Sequence, residues 1–329
     1  MESGEAKASR PQRLGPEGLG VQLGRGAWGI MKTIDASLQE IDALEHGQAF
    51  ADLSSYRKVR VTGTDARSWL HSLVTSDVES LEPGRAHRSL LLTPTGRIRA
   101  DFSLACEDAG FLLLQAPDQP GHIGLLLSSY TLSSDVSLHD VTNELALFAV
   151  PGRAARAVGR RGMSPSVLGP GIDLVTPVGK PAWRVEDMFV KKNLIEARPA
   201  AVETWRIRRG VPRMGADFGP ESLPAEAGLE EMIDRTKGCF LGQESVAKVI
   251  NLGHPPHILR HLRASAELAA GMPVWSERHL VGQITSAAPA AGGGWVAITR
   301  VDWDVPEDAP LRALRSAGLD TPLLAANLD

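Results

Sequence analysis

The sequence predicts an α+β fold with a small β-barrel-like domain at its C-terminal end. At 329 residues the chain is long enough for two or three domains. Strand-like and helical segments occur in separate groups rather than in a repeated βαβ order, which favours the α+β class. After residue 258 the pattern changes to short strands at 259–264, 281–287 and 295–299, and the glycine-rich residues 291–294 form a hairpin loop between the last two.

The N-terminal part combines a sheet with a few covering helices. Apolar spacing predicts an amphipathic helix at 36–44 and a second helix after Asp65, whose apolar face carries Trp69, Leu70 and Leu73. A connector at 51–56 follows the first helix, and a further helix is expected at 122–130. Alternating or continuous apolar runs predict strands at 58–63, 88–92, 98–104, 110–115, 136–141 and 144–150.

Residues 151–200 are richer in glycine and proline than the preceding part. We expect a helix near 154–160, a strand pair near 182–190, and a helix at 202–209 that ends at Gly210. Residues 219–227 form a turn-rich approach to the next conspicuous stretch.

Composition excludes several classes of protein. A net charge of −4 and a pI near 6.2 argue against general nucleic-acid or anionic-membrane binding, and no apolar run is long enough to span a membrane. Two cysteines, Cys106 and Cys239, are too few and too far apart for a disulfide framework or a zinc site, which fits a cytoplasmic protein. Residues 1–30 contain no secretory signal and are expected to be disordered, which leaves Met1 and Met31 open as the start.

The chemistry of the chain is concentrated at residues 235–248. Lys237 and Gly238 precede the single thiol of Cys239, Gly242 permits a tight bend, and residues 243–250 favour a helix. A thiol just before a helix N-terminus, with a lysine two residues away, is typical of a reactive cysteine. The alternative is that Cys239 is a small buried hydrophobic residue and that the glycines only turn the chain.

Three segments together resemble the YgfZ family. They are the Arg-Ile-Arg-Arg-Gly-Val-Pro run at 206–212, the Leu-Pro-Ala-Glu-Ala run at 223–227, and the Lys-Gly-Cys-Phe-Leu-Gly-Gln-Glu run at 237–244. That family binds folate, is linked to iron–sulfur cluster assembly and repair, and is related to the aminomethyltransferase (T-protein) of the glycine cleavage system.

The resemblance implies a three-lobed ring around a central folate pocket, with a C-terminal β-barrel lobe. The lobes would be a folate-binding lobe at 31–150, completed by part of 200–256, a second lobe at 151–256 and a barrel at 257–329. The ligand would be tetrahydrofolate or a one-carbon derivative of it.

The same resemblance assigns roles to individual residues. Asp101 matches the transferases' catalytic aspartate, which handles a folate ring nitrogen, and Gln115 matches an asparagine on the next strand. Glu186 corresponds to a glutamate that grips the pterin edge, and Arg206, in a group with Arg208, Arg209 and Arg213, suits the glutamate tail of folate. The alternatives are a solvent-facing Asp101, a surface pair of Glu186 with Arg184, and a solvated arginine face. Arg88 stands where the transferases have a tyrosine.

The signature residues are Lys237, Gly238, Cys239, Gly242, Gln243 and Glu244, and three functions are open. The first is a tetrahydrofolate-binding protein that supports iron–sulfur enzymes or assembly proteins through Cys239, either by chemistry on the folate or by transient ligation. One cysteine cannot hold a stable cluster, so no resident metal is expected. The second is a folate-dependent one-carbon transferase that uses Asp101 as a base, and the third is a non-catalytic scaffold. The first requires the Cys239 sulfur to face the cavity that admits the pterin.

Overall fold

The structure, a computed structural model, describes residues 38–159, 162–314 and 320–326. The expectations of a disordered segment at 1–30 and of an alternative start at Met31 lie outside the described residues. The first described helix, α1, covers residues 38–45, as its apolar spacing predicts. No helix in the described ranges is long and apolar enough to cross a bilayer.

A five-stranded antiparallel sheet occupies the N-terminal part. Its strand order is β3-β4-β5-β2-β6, and α2 and α3 cover one face. The elements are β2 (Arg57–Thr62), α2 (Ala66–Leu73), β3 (Ala86–Leu92), β4 (Ile98–Glu107), β5 (Gly110–Gln115), α3 (Ile123–Ser128) and β6 (Ser137–Asp140). Trp69 and Leu70 of α2 pack against Phe102 of β4 and Leu113 of β5. Because side chains alternate along a strand, the opposite face carries a second apolar set that includes Leu90.

A four-stranded sheet of order β8-β7-β1-β9 adjoins the first. Its strands are β1 (Ala49–Asp52), β7 (Leu145–Pro151), β8 (Gly171–Pro177) and β9 (Ile195–Glu196), and its helices are α4 (Ala154–Val158), α5 (Lys180–Lys191) and α6 (Pro199–Arg208). β1 overlaps the first two residues of the connector predicted at 51–56, and it pairs parallel with β9 and antiparallel with β7. The sheet therefore combines strands from both sides of residue 150, and the lobe boundaries remain a prediction.

The strand pair predicted near 182–190 is wrong, because these residues form α5. Ala182, Val185 and Phe189 are buried on one side of this helix, at helical rather than strand spacing. Phe189 stacks on Phe50 with ring centroids 4.2 Å apart, and it meets Phe148 edge to face. Packing against these rings stabilises the helix, since an amphipathic face gains most of its stability from tertiary burial.

The C-terminal part is a closed six-stranded barrel, which confirms the prediction of a barrel-like domain. Its order is β10-β13-β12-β11-β14-β15. The strands are β10 (His257–Ala264), β11 (Pro273–Ser276), β12 (His279–Pro289), β13 (Trp295–Asp302), β14 (Leu311–Leu314) and β15 (Asp320–Ala325). Between the sheets and the barrel lie a single 3-10 turn (Glu230–Met232) and α7 (Gln243–Leu252). Ile207 of α6 packs on Ala288 and Val296, so the barrel contacts the helix that lines the cavity described next.

Candidate functional site

A cavity of about 1180 Å³ opens beside α6 and the middle of β4. Its wall contains Asp101 and Arg88 from the first sheet, the loop at 165–169, one side of the chain between Val202 and Arg213, and Asp234. Ligand pockets for molecules of drug size have volumes of roughly 300–1,000 Å³, so the cavity can hold an elongated organic molecule.

Asp101 lies in the cavity wall and is paired there with Arg88. The guanidinium donates from Nε to Oδ1 at 2.8 Å and from Nη2 to Oδ2 at 2.6 Å, and Nη2 also donates to the Pro212 carbonyl at 3.1 Å. The aspartate is 7% exposed. A bidentate guanidinium–carboxylate pair is among the strongest polar contacts in proteins, so the carboxylate is held in one orientation. Each oxygen keeps a further lone pair that can accept a ligand N–H.

Gln119, which the sequence analysis missed, fixes the backbone of Asp101. Its Oε1 accepts from the Asp101 amide at 3.1 Å, and its Nε2 donates to the Asp101 carbonyl at 2.6 Å. Gln115 lies behind it, fully buried, and donates to Gln119 Oε1 and to the Gly121 carbonyl. Its own Oε1 accepts from the amide of Ile123 and from Arg57. Gln115 is not among the cavity-lining residues, so the structure places this predicted folate contact in a supporting position.

Arg206 lines the cavity, but its donors are directed into the protein. The guanidinium donates two hydrogen bonds to the Glu203 carboxylate, from Nε and Nη2, and one from Nη1 to Asp217 at 2.6 Å. It also donates to the Val211 carbonyl and to Ser286 Oγ. Asp217 is 3% exposed and also accepts from the hydroxyls of Thr285 and Ser286 on β12. Arg206 and Asp217 therefore join α6 to the barrel, and a folate tail would have to compete with these partners.

Glu186 lies on the exposed side of α5, outside the cavity wall. Its neighbours Val185 and Phe189 face the core of the second sheet, so the helix turns Glu186 towards solvent. The structure does not bring this residue together with Asp101 or Arg206.

Cys239 is exposed and does not line the cavity. The expectation that its sulfur faces the cavity is wrong. The residues on either side of it, Lys237 and Phe240, are anchored at the end of α2 and in the core instead. The Lys237 ammonium donates to the carbonyls of His71, Val74 and Ser76 at 2.6–2.9 Å, which holds the end of α2. Burial lowers the pKa of Lys237 to about 8. Phe240 is buried in the core, so only Gly238 and Cys239 lie at the surface between two anchors.

The rest of the signature docks α7 on the turn between β3 and β4. Gly242 has φ +86, and a Cβ there would lie 2.5 Å from the Thr93 carbonyl oxygen. Only glycine fits such an approach with a left-handed backbone. Ser245 Oγ donates to the Pro94 carbonyl at 3.1 Å. Gln243 begins α7, and Glu244 lies exposed in its first turn, where an acidic side chain favours the positive end of the helix dipole.

Asp173 of β8, which the sequence analysis did not identify, supports the loop at 165–169 that lines the cavity. It is 1% exposed, and it accepts from Ser166 Oγ at 2.5 Å and from the Val167 amide at 2.8 Å, which fixes the cavity-lining loop at 165–169. Burial raises the pKa of Asp173 to about 7, and burial together with the charges of Asp173 and Asp101 raises the pKa of the cavity residue Tyr56 to about 12. The only sequence signal was an acid within the otherwise apolar Ile-Asp-Leu-Val run.

Comparisons with known proteins agree with this architecture. Residues 10–164 match the family model described as the GCVT N-terminal domain. The chain is 27% identical over 294 residues to the Arabidopsis thaliana protein named "Putative transferase At1g60990, chloroplastic", covering 80% of this chain and 67% of that one. It is 23% identical over 314 residues to an aminomethyltransferase of Corynebacterium aurimucosum, covering 84% and 85% of the two chains.

Among solved structures, the glycine cleavage system aminomethyltransferase T from Bartonella henselae superimposes with a TM-score of 0.78 at 19% identity. The superposition covers 89% of this chain and 88% of that one. The chain is therefore similar in sequence to aminomethyltransferases over most of its length, and it has the fold of the glycine cleavage T-protein.

Proposed function

We propose that the protein is a member of the YgfZ family that binds tetrahydrofolate in the cavity beside α6 and supports iron–sulfur cluster assembly or repair through Cys239. Because Cys239 lies outside the cavity wall, we drop chemistry of the thiol on the bound folate and keep its transient ligation of an iron–sulfur species. Asp101 acts as a fixed acceptor for a pterin N–H, and Cys239 acts at the surface on a partner protein. The similarity to aminomethyltransferases supports the folate part of the proposal, and the Lys-Gly-Cys signature supports the thiol part.

The observation that carries this proposal is the ion pair between Arg88 and Asp101. A general base must take up a proton as carbon is transferred, and taking it up here would neutralise the carboxylate partner of a guanidinium that is mostly shielded from water. The ion pair is lost when its carboxylate becomes neutral, which favours Asp101 as a fixed acceptor over Asp101 as a base. The pair does not oppose binding, since the two oxygens retain free lone pairs.

The position of Cys239 separates the two roles that the thiol could have. With Lys237 and Phe240 anchored on either side, Cys239 is held at the surface and outside the cavity wall, which favours a role away from a folate in the cavity. Its exposure leaves it open to a macromolecular partner. A single thiolate can bind an iron–sulfur species only transiently, because the remaining ligands must come from the partner.

The test compares the unmodified protein with Cys239→Ser and Asp101→Asn variants. Calorimetric titration with tetrahydrofolate should give equal affinity for the unmodified protein and the Cys239→Ser variant, and a weaker one for Asp101→Asn. In cells lacking the native protein, Cys239→Ser should fail to restore the activity of iron–sulfur enzymes. Full restoration by this variant would favour the scaffold function and overturn the role of the thiol.

An aminomethyl transferase remains the competing function, favoured by the sequence similarity to aminomethyltransferases. It predicts methylene transfer to tetrahydrofolate by the unmodified protein and loss of this transfer in Asp101→Asn. Measured turnover of this kind would overturn the proposal that Asp101 is only an acceptor.

A further inference from the structure

The cavity wall contains a phenolic hydroxyl that has no hydrogen-bond partner among the described residues. It belongs to Tyr56, which is half-buried, lies between β1 and β2 and lines the cavity. The chain has one other tyrosine, Tyr130, which is not among the cavity-lining residues. A hydroxyl that a ligand shields from water regains a hydrogen bond only if the ligand supplies the partner.

The protein holds Tyr56 in place without using its hydroxyl. The ring packs against the apolar cluster that contains Leu53 and Leu114. The Tyr56 amide donates to the Leu53 carbonyl at 2.8 Å, and the Tyr56 carbonyl accepts from the ammonium of Lys58, a fully buried residue, at 2.7 Å. Because the side chain is already fixed by these contacts, it loses little conformational entropy when a ligand binds.

The charges that act on this hydroxyl place it beside Asp101. Burial and the charges of Asp173 and Asp101 raise the pKa of Tyr56 to about 12, against the opposing effect of Arg213 and Arg88. Three of these four charged groups line the cavity themselves. The hydroxyl therefore lies within electrostatic reach of the Asp101 carboxylate, and it stays protonated and able to donate at neutral pH.

A donor beside the oxygens of Asp101 matches one edge of a pterin ring. In a tetrahydropterin the C4 carbonyl oxygen lies between two ring N–H groups, at N3 and at N5. Whichever of these N–H groups Asp101 accepts, the neighbouring acceptor on the ring is the C4 oxygen, and Tyr56 offers a donor on the same wall. Glu186, which was predicted to grip the pterin edge, lies outside the cavity wall, so this edge needs another protein partner.

We infer that Tyr56 is a specificity-determining residue whose hydroxyl donates to the C4 oxygen of the pterin, so that the cavity selects 4-oxo pterins over 4-amino pterins. This inference rests on the proposed function, in which Asp101 accepts the pterin N–H. A 4-amino pterin carries an NH₂ donor in place of the C4 oxygen, and it has no N–H at N3. The Tyr56 hydroxyl would accept from this amino group only by turning its own proton away from the ligand.

The test is a calorimetric titration of the full chain, without oxygen, with tetrahydrofolate and with its 4-amino analogue, tetrahydroaminopterin. Tyr56→Phe removes the hydroxyl and keeps the ring that packs on Leu53 and Leu114. Tyr130→Phe removes the other phenolic hydroxyl of the chain, outside the cavity wall, and is the matched control. Thermal denaturation of each variant checks the fold.

We expect the unmodified protein to bind tetrahydrofolate about tenfold more tightly than tetrahydroaminopterin. Tyr56→Phe should weaken the binding of tetrahydrofolate by about three- to tenfold, as expected for the loss of one hydrogen bond, and should change the binding of the 4-amino analogue by less than about twofold. The preference for the 4-oxo ring should therefore fall by nearly the same factor. Tyr130→Phe should bind both ligands as the unmodified protein does.

Equal affinity of the unmodified protein for the two ligands would overturn the inference without the use of any variant. Unchanged tetrahydrofolate binding in Tyr56→Phe, or an equal loss of both ligands, would also overturn it, since neither result fits a contact with the C4 oxygen. A loss of the same size in Tyr130→Phe would have the same consequence. Each of these results leaves the proposed function intact, whereas failure of the unmodified protein to bind tetrahydrofolate would overturn both.

Discussion

The buried carboxyl group of Asp173 predicts a stability that falls as the pH rises towards neutrality. Burial raises its pKa from 3.8 to about 7 in the folded protein. Between these values the unfolded chain has lost the proton that the folded protein keeps, so the free energy of unfolding decreases with rising pH and levels off above about pH 7. The whole difference corresponds to about 4 kcal/mol, of which about 3 kcal/mol falls between about pH 5 and pH 8.

The substitution Asp173→Asn isolates this effect, because the amide has nearly the same shape and cannot ionise. Its oxygen can accept from the Val167 amide and its nitrogen can donate to Ser166 Oγ, the two groups that the carboxyl contacts now. Urea denaturation at about pH 5 and pH 8 gives the free energy of unfolding for both proteins. Asp308→Asn, which changes an exposed aspartate, is the control for net charge.

Over that pH interval we expect the unmodified protein to lose about 3 kcal/mol of stability relative to Asp173→Asn. The Asp308→Asn variant should follow the unmodified protein. Equal pH dependence of the unmodified protein and Asp173→Asn would refute the reasoning, since it would mean that Asp173 is ionised in the folded protein throughout the interval.

Three further substitutions test other contacts of the site. Asp217→Ala leaves Arg206 without its most buried partner, and it should lower the free energy of unfolding in urea by about 3–5 kcal/mol. Lys237→Met leaves three carbonyls without their donor, and it should cost about 1–3 kcal/mol and increase amide exchange at the end of α2. Gly242→Ala forces a Cβ against the Thr93 carbonyl, and its melting temperature should fall by several degrees, whereas Gly238→Ala, which has open space, should melt close to the unmodified protein.

The parts of the fold that could be predicted are those governed by local pattern. Alternation and glycine turns predict β2 to β5 and the barrel strands β10, β12 and β13, because burial of one strand face leaves a period of two in the sequence. The strand pair predicted near 182–190 is wrong because the side chains that become buried, Ala182, Val185 and Phe189, recur at helical rather than strand spacing. The sheet of β1, β7, β8 and β9 was not predictable from local pattern, since Ala51 of β1 pairs with Ala149 of β7 and Ala49 pairs with Ile195 of β9, both far along the chain.

The candidate site shows the same limit at the level of single residues. The sequence identified Asp101 and Arg206 as residues of a ligand cavity, and both line it. It could not show that Arg206 is occupied by Asp217 and Ser286, because the second partner lies 80 positions away on β12. For Cys239, the motif predicted a reactive position, but the direction of the sulfur depends on how Lys237 and Phe240 are anchored.

The contact of Arg206 with Ser286 limits how far the protein can be shortened or recombined. A chain that stopped before β10 would retain every strand of the two sheets, yet Arg206 would lose Ser286 and Asp217 would lose two hydroxyl donors. The ion pair of Arg206 and Asp217 would then lack its hydroxyl partners at the cavity wall, which Arg206 lines. Exchange of the barrel between relatives should therefore preserve function only when the incoming β12 supplies hydroxyl side chains at the positions of Thr285 and Ser286.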